Sequence, residues 1–377
     1  MKILLVATTS YAGMGPYVTQ IINSFNKEDS FYFLLREFAD DYFRKNIKKE
    51  LLDNCFFYKK ENSNWNKLFD LFFDDRKFTS YVLHICKTYD IRVVHFLNGP
   101  VYATTLKELI QNNIKALGTI HDLHPHEAHK EWYKMLRHKI SSQRVSRNLN
   151  YNNCLVTNSY SQYTELQQLY PLKHIFYFPF PSLVTNEIAT GNNIPKELLS
   201  IKMPYILFFG RIEQYKGLHI LYQAFLSDRN LYNNYLLVIA GKGYLGIEKS
   251  AQEKNVVYIN RYISDTEIRY LYENAFCVVY PYLSATQSGV LSLACFFGTP
   301  IISSDISFFK IVLDGSNAGY LFRNGDVEDL KNKLLLLASK DRHEIQEAEK
   351  TLYEKIYSNA SLRKDLLCIY NKIMGIK

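Results

Sequence analysis

The chain has 377 residues, 47% of them hydrophobic and 15% aromatic, with a formal net charge of +8 at pH 7. That length exceeds one ordinary core and points to two domains, and the apolar content excludes a disordered chain. Six cysteines without a CxxC spacing argue against a disulfide framework or zinc ribbon, and no run approaches the ~20 apolar residues of a membrane span.

The N-terminal MKILLVATTS turns polar after a few residues and reads as a first strand rather than a signal peptide, so a cytoplasmic chain is expected. Strand candidates follow at KILLVA (2–7), FYFLL (31–35), RVVHFL (92–97), ALGTI (116–120) and CLVTN (154–158). Segments with helical spacing separate them. The apolar runs are continuous rather than alternating, which suits parallel strands covered on both faces. Residues 1–185 thus read as a doubly wound α/β domain. From Thr185 the texture changes to TNEIATGNNIPKELLSIKMP, and 186–204 reads as a linker. Alternation restarts with YILFFG (205–210), YLLVIAG (235–241), VVYI (256–259), FCVVYP (276–281) and PIISSD (300–305). A second domain of the same type, 205–350, is expected, followed by helix over 351–377. Two such domains place a cleft between the C-terminal edges of two sheets, where open α/β sheets take nucleotide-like ligands.

In FFGRIEQYKG a strand ends at Gly210, and Arg211 and Lys216 follow five residues apart. Two cations at a strand exit suit a diphosphate, which Arg grips bidentately and Lys meets as a point charge. Two solvated surface cations are the competing reading. VIAGKGY offers Gly241 and Gly243 where a backbone can approach a ligand. NRYISDTEI carries a capping box from Ser264 to Glu267, with Arg261, Tyr262 and Ile263 available as a pocket wall for a base. In SATQSGVLSLACFFGTP, Ser288, Gly289 and Val290 form the first turn of a helix whose free N–H groups can hold a phosphate without side-chain charge. Thr286 and Gln287 supply neutral groups beside it.

HDLHPHEAH holds four histidines, but Lys130 stands where an HExxH helix needs its second His, and Pro125 interrupts any helical face. No metal is expected. The loop reads as ligand-facing, with His121 and Asp122 at its base and His124 and His126 on an acceptor side. Segment 130–147 sets Lys130, Lys134, Arg137, Lys139, Arg144 and Arg147 against Glu131, with Trp132, Leu136 and Ile140 every four residues. Two readings stay open: an interfacial helix on an anionic membrane, or a surface helix with solvated cations. No nucleic-acid motif accompanies the charge, so nucleic acid is not an expected partner.

FGRIEQYKG, an AGKG strand end, RYISDTEI, a strand ending in YP, TQSGV and FGTP, in this order, resemble the C-terminal domain of glycosyltransferase family 4, retaining enzymes of the GT-B fold. The resemblance is strongest over 200–330 and extends to the first half through Gly13-Met14-Gly15, TIHDLHPHE and TNSYSQYTEL. It implies two Rossmann-like α/β domains facing across a cleft, and a tail helix that crosses back to the first. It implies a UDP- or GDP-linked nucleotide-diphosphate-sugar donor, with no cofactor or metal required. Arg211 and Lys216 match residues that grip the diphosphate, with Gly210 and Gly241 beside them. Ser288, Gly289 and Val290 match amides around the distal phosphate. His121 matches a histidine facing the donor sugar, and Gly13 and Gly15 match a loop facing phosphates and acceptor. The implied acceptor is a glycan, lipid-linked in many members, in surface or capsular polysaccharide synthesis. That would place the protein peripherally on the cytoplasmic face of the inner membrane.

One departure stands out. Two glutamates separated by seven residues are frequent in the family, and Ala285 and Leu293 occupy those places. Thr286 and Gln287 are the neutral groups left to bond the sugar. Either the donor is held differently or catalysis is impaired, and the retained Arg211, Lys216, His121 and glycine loops favour the first. A non-catalytic sugar-nucleotide-binding subunit and a GT-B epimerase remain as alternatives.

Overall fold

The computed structural model describes residues 1–10, 13–37, 41–59, 75–99, 101–123, 149–244 and 253–375. The chain divides into two compact units, Met1–Pro181 with Asn359–Lys377, and Ser182–Ser358.

The first unit carries β1 (Ile3–Ala7), β2 (Phe31–Arg36), β3 (Cys55–Tyr58), β4 (Val93–Asn98), β5 (Lys115–Ile120), β6 (Cys154–Thr157) and β7 (His174–Tyr177). They form one sheet in the order β3-β2-β1-β4-β5-β6-β7, with parallel pairing throughout. Every residue of β1 is buried, because strands lie on both its edges and helices cover its faces. Chain order reverses direction between β1 and β4, the place where a doubly wound sheet opens a crevice at its C-terminal edge.

The helix Asn359–Gly375 belongs to this unit although it follows the second unit in sequence. It buries Leu366, Tyr370 and Ile373. The Tyr370 hydroxyl lies 2.7 Å from His95 Nδ1 on β4. Lys115 Nζ donates to the Ile373 carbonyl at 3.0 Å, a cation at a helix C-terminus. Arg363 grips both carboxylate oxygens of Asp29.

The second unit repeats the plan with β8 (Tyr205–Phe209), β9 (Leu236–Ala240), β10 (Val256–Ile259), β11 (Ala275–Tyr280), β12 (Ile301–Ser304) and β13 (Gly319–Phe322). The order is β10-β9-β8-β11-β12-β13, again parallel. Its switch point lies between β8 and β11. Two Rossmann-like α/β units are therefore present. Residues 186–204 include a short helix, Asn186–Thr190, and a 3₁₀ turn, Lys196–Leu198. Ile188 and Leu198 lie in the second unit's core.

The capping box forms as the sequence pattern requires: Ser264 N donates to Glu267 Oε2 at 3.0 Å at the start of the helix Asp265–Glu273. The cysteines are free thiols, with Cys86, Cys154, Cys277 and Cys295 buried.

Glu349, on the helix Arg342–Ile356, is wholly buried, and neither carboxyl oxygen meets hydrogen-bond geometry with any described group. Burial raises its pKa well above the ordinary 4.5, only partly offset by the Ile301 amide and Arg342. The folded protein thus keeps the proton where the unfolded chain has lost it. Stability falls as pH rises from the ordinary value towards the folded one, by about 1.4 kcal/mol for each tenfold difference in proton affinity. Glu349→Gln is expected to raise the melting temperature more at pH 8 than at pH 5. Melting curves of both proteins at the two pH values test this, and equal gains would contradict it.

Candidate active site

At the second unit's switch point, β8 runs into Gly210, whose φ is +123°. A Cβ on Gly241 would stand 1.8 Å from the Gly210 carbonyl oxygen, so only glycine lets these two strand exits abut. The chain then makes a 3₁₀ turn, Gln214–Lys216, before the helix Leu218–Ser227. This turn folds Lys216 back, and the residue is only 7% exposed. Its Nζ lies 3.0 Å from where a Gly210 side chain would begin. It also lies 5.0 Å from the centroid of the Tyr282 ring, just after β11. Among the described residues Lys216 has no carboxylate partner. Buried cations ordinarily have a counter-charge. Arg211, by contrast, is largely exposed and pairs with Glu213 at 2.9 Å. An exposed pair of this kind is weak and easily exchanged for another anion.

The helix after β11 starts later than the sequence pattern suggests. It spans Leu291–Phe297, and Ser288, Gly289 and Val290 form the turn before it. Two side chains fix that turn: Tyr280 Oη donates to the Val290 carbonyl at 3.0 Å, and Ser292 Oγ donates to the Gly289 carbonyl at 2.7 Å. The amides of Ser288, Gly289 and Val290 have no acceptor among the described residues. Gln287 Oε1 is buried without a partner, and Thr286 is half-buried. Leu293 is 1% exposed in the apolar core, with Ala285 packed against the same cluster.

The exits of β8, β11, β12 and β13 are tied together by groups that sequence reasoning missed. Leu283 N donates to the Tyr215 carbonyl at 2.7 Å. Asn324 Nδ2 donates to the Leu283 carbonyl at 2.9 Å, and Asn324 N to Asp305 Oδ1 at 2.8 Å. That amide holds the Asp305 carboxyl below its ordinary range. Of the residues considered for a base, Tyr262 is 77% exposed and Ile263 lies in the core at 6%. Arg261 is committed elsewhere: it forks to Glu267 at 2.7 Å on two bonds and to Glu197 at 3.0 and 3.1 Å.

In the first unit, Asn98 closes β4 and clamps the loop after β1. Its Oδ1 accepts from Thr8 N at 3.0 Å and Thr9 N at 3.2 Å, and its Nδ2 donates to the Thr9 carbonyl at 3.0 Å. Gly13 takes φ +85° with open space around it, just ahead of the helix Met14–Asn23. Gly15 is buried, and a Cβ there would strike the Tyr42 ring at 2.6 Å. Packing therefore explains this glycine directly.

His121 follows β5. Its Nε2 donates to the Leu97 carbonyl at 2.8 Å, which leaves Nδ1 as an acceptor, and that atom is buried with no partner. Burial lowers its pKa, partly opposed by the Leu97 bond and Asp122, so the ring is neutral at pH 7. Gln162 holds this loop: its Nε2 donates to the His121 carbonyl at 3.2 Å and its Oε1 accepts from Leu123 N at 3.0 Å. Asp122 is exposed. His124, His126 and the basic segment 130–147 lie outside the described residues. Among the described residues, no three His, Cys, Asp or Glu side chains group to hold a metal ion.

Two Rossmann-like units are present, and the switch point of the second carries a little-exposed lysine and free amides, groups of the kind that can hold a phosphate. Residues 190–357, nearly the whole second unit, match the family model for glycosyl transferases group 1. The fold matches GT-B glycosyltransferases over the full chain. A glycosyltransferase from Rickettsia africae ESF-5 superposes with TM-score 0.68 at 16% identity, over 100% of this chain and 99% of its own. Sucrose-phosphate synthase from Thermosynechococcus elongatus gives 0.66 at 15%, over 100% and 99%. Anabaena Alr3699/HepE in complex with UDP-glucose gives 0.65 at 13%, over 100% of each chain. A comparison with curated proteins finds no match.

Asn98→Ala would remove the acceptor of the Thr8 and Thr9 amides and the donor to the Thr9 carbonyl. The expected cost is about 2–3 kcal/mol of stability, with faster hydrogen exchange at Thr8 and Thr9. Chemical denaturation and amide exchange measure both, and unchanged exchange would refute the clamp.

Proposed function

We propose that this protein is a glycosyltransferase. It takes a sugar from a nucleotide-diphosphate donor, with a UDP conjugate as the first candidate, and passes it to a hydroxyl of a glycan acceptor. The observation that carries this reading is Lys216, little exposed and without a carboxylate partner among the described residues, at the strand exit that bears Arg211. The family match over the second unit supports it, as does the UDP-glucose bound by the Anabaena protein.

In this reading Lys216, Arg211 and the Ser288–Val290 amides take up the charge that builds on the diphosphate as it leaves. Interactions that strengthen as charge develops lower the barrier. The bond from the anomeric carbon to the diphosphate oxygen breaks. A bond from that carbon to the acceptor oxygen forms, and the hydroxyl proton passes to the departing diphosphate. Attack on the face that the diphosphate leaves gives retention, without a buried carboxylate base. The neutral His121 Nδ1 is suited to accept from a sugar hydroxyl. No metal or cofactor is called for, because Lys216 and Arg211 supply positive charge.

A lipid-linked acceptor in surface or capsular polysaccharide synthesis is the acceptor class we favour, met through the cations of 130–147. No described helix is long and apolar enough to cross a membrane. Changing Lys134, Arg137 and Lys139 to Glu together should reduce sedimentation with anionic vesicles, and unchanged sedimentation would remove that part of the reading.

Ala285 and Leu293 at the glutamate places motivate a second reading, a donor-binding subunit that transfers nothing. Thermal shift with UDP, GDP, ADP and CMP and their sugar conjugates tests donor binding. One series should raise the midpoint of the wild type, since ligand at a hundred times its Kd contributes about 2.7 kcal/mol. Lys216→Met should reduce the shift without removing it. Multiple-turnover transfer to a glycan then excludes the subunit reading, whereas no shift with any nucleotide would overturn the donor site.

A further inference from the structure

Resting on that reading, we propose that Tyr282 is a positioning residue for Lys216. The face of its ring holds the ammonium at the β8 exit without pairing its charge with an acid.

Tyr282 is 1% exposed and cannot turn. Phe309, Tyr280 and Tyr215 meet its ring edge-on, at centroid distances of 5.4, 5.9 and 6.2 Å. Its carbonyl accepts from Ser304 Oγ. The next residue, Leu283, donates its amide to Tyr215, inside the same 3₁₀ turn that carries Lys216. Ring and lysine are thus fixed to one another through the backbone. Gly210 leaves the space that Nζ occupies on the other side.

The chemistry explains why an aromatic ring suits this place. A ring face attracts a cation within about 6 Å through its quadrupole, and 5.0 Å is within that reach. A carboxylate there would stabilise the ammonium more strongly. It would also pair with it and compete against an incoming diphosphate. The ring compensates burial while leaving the positive charge available. The Tyr282 hydroxyl takes no part, being buried with no hydrogen-bond partner among the described residues.

The test replaces Tyr282 by phenylalanine, trifluorophenylalanine and pentafluorophenylalanine, in wild-type and Lys216→Met backgrounds, with UDP affinity read by calorimetry. These rings have nearly the same shape, so folding is preserved while the face potential weakens stepwise. Phe should retain wild-type affinity, and pentafluorophenylalanine should weaken it by about tenfold. The series should be flat in Lys216→Met, where the cation is absent. Equal affinity across the series, or the same decline without Lys216, would overturn the proposal. If the wild type bound no UDP, the donor reading would fail instead. The pairing would then be read from melting curves: the loss from phenylalanine to pentafluorophenylalanine should be larger in the wild-type background than in Lys216→Met, and equal losses would overturn the role of the ring.

Discussion

Lys216 is little exposed in the second unit, with an aromatic face near its ammonium and no carboxylate beside it among the described residues. A protein ordinarily answers a cation so placed with an acid. Gly210 and Gly241 bring two strand exits together, the amides of 288–290 have no acceptor among the described residues, and Leu293 turns into the core. On the proposed reading an arriving diphosphate supplies the missing negative charge, and the free amides suit its oxygens.

Side-chain amides fix much of the loops around both switch points. Asn98 joins the β1 and β4 exits, Gln162 holds the β5 exit, and Asn324 joins β13 to β11. An amide side chain offers a donor and an acceptor at once, so it can substitute for a neighbouring strand where strands have ended. It also carries no charge that would disturb a phosphate site or titrate with pH. Carboxylates work beside them: Asp305 accepts from Asn324 N and meets Lys310, Glu213 pairs with Arg211, and Glu197 and Glu267 hold Arg261.

This division explains what can be read from the sequence. Interior strands announce themselves because both faces are buried, and β1, β8 and β11 are legible as unbroken apolar runs. The strands that no such run marks, β3, β7 and β13, all lie at sheet edges. Each has four residues, mostly half-buried, so no continuous apolar run is required of it. Lys216 is legible as a cation at a strand exit, but not its low exposure beside Tyr282, which sits at the exit of the neighbouring strand β11. Asn98 and Gln162 give no signal at all. Each acts on a loop that sheet pairing alone brings near, and an asparagine or glutamine in sequence does not say which backbone it will bind. The first turn of the TQSGV segment reads as helix because nothing in sequence shows that Tyr280 bonds the Val290 carbonyl.

The absent glutamates take on a different weight in this light. At 293 the side chain is core, packed in the cluster that contains Tyr272, Tyr280 and Cys295. An acid there would need a different local course of chain, so the substitution belongs to how this turn is built. An apolar residue would fit a little-exposed place beside an aromatic ring at least as well as a lysine. The chain instead carries the cation, the glycine that makes room for it and an aromatic face beside it. On the proposed reading that combination is kept for an anion from outside the protein.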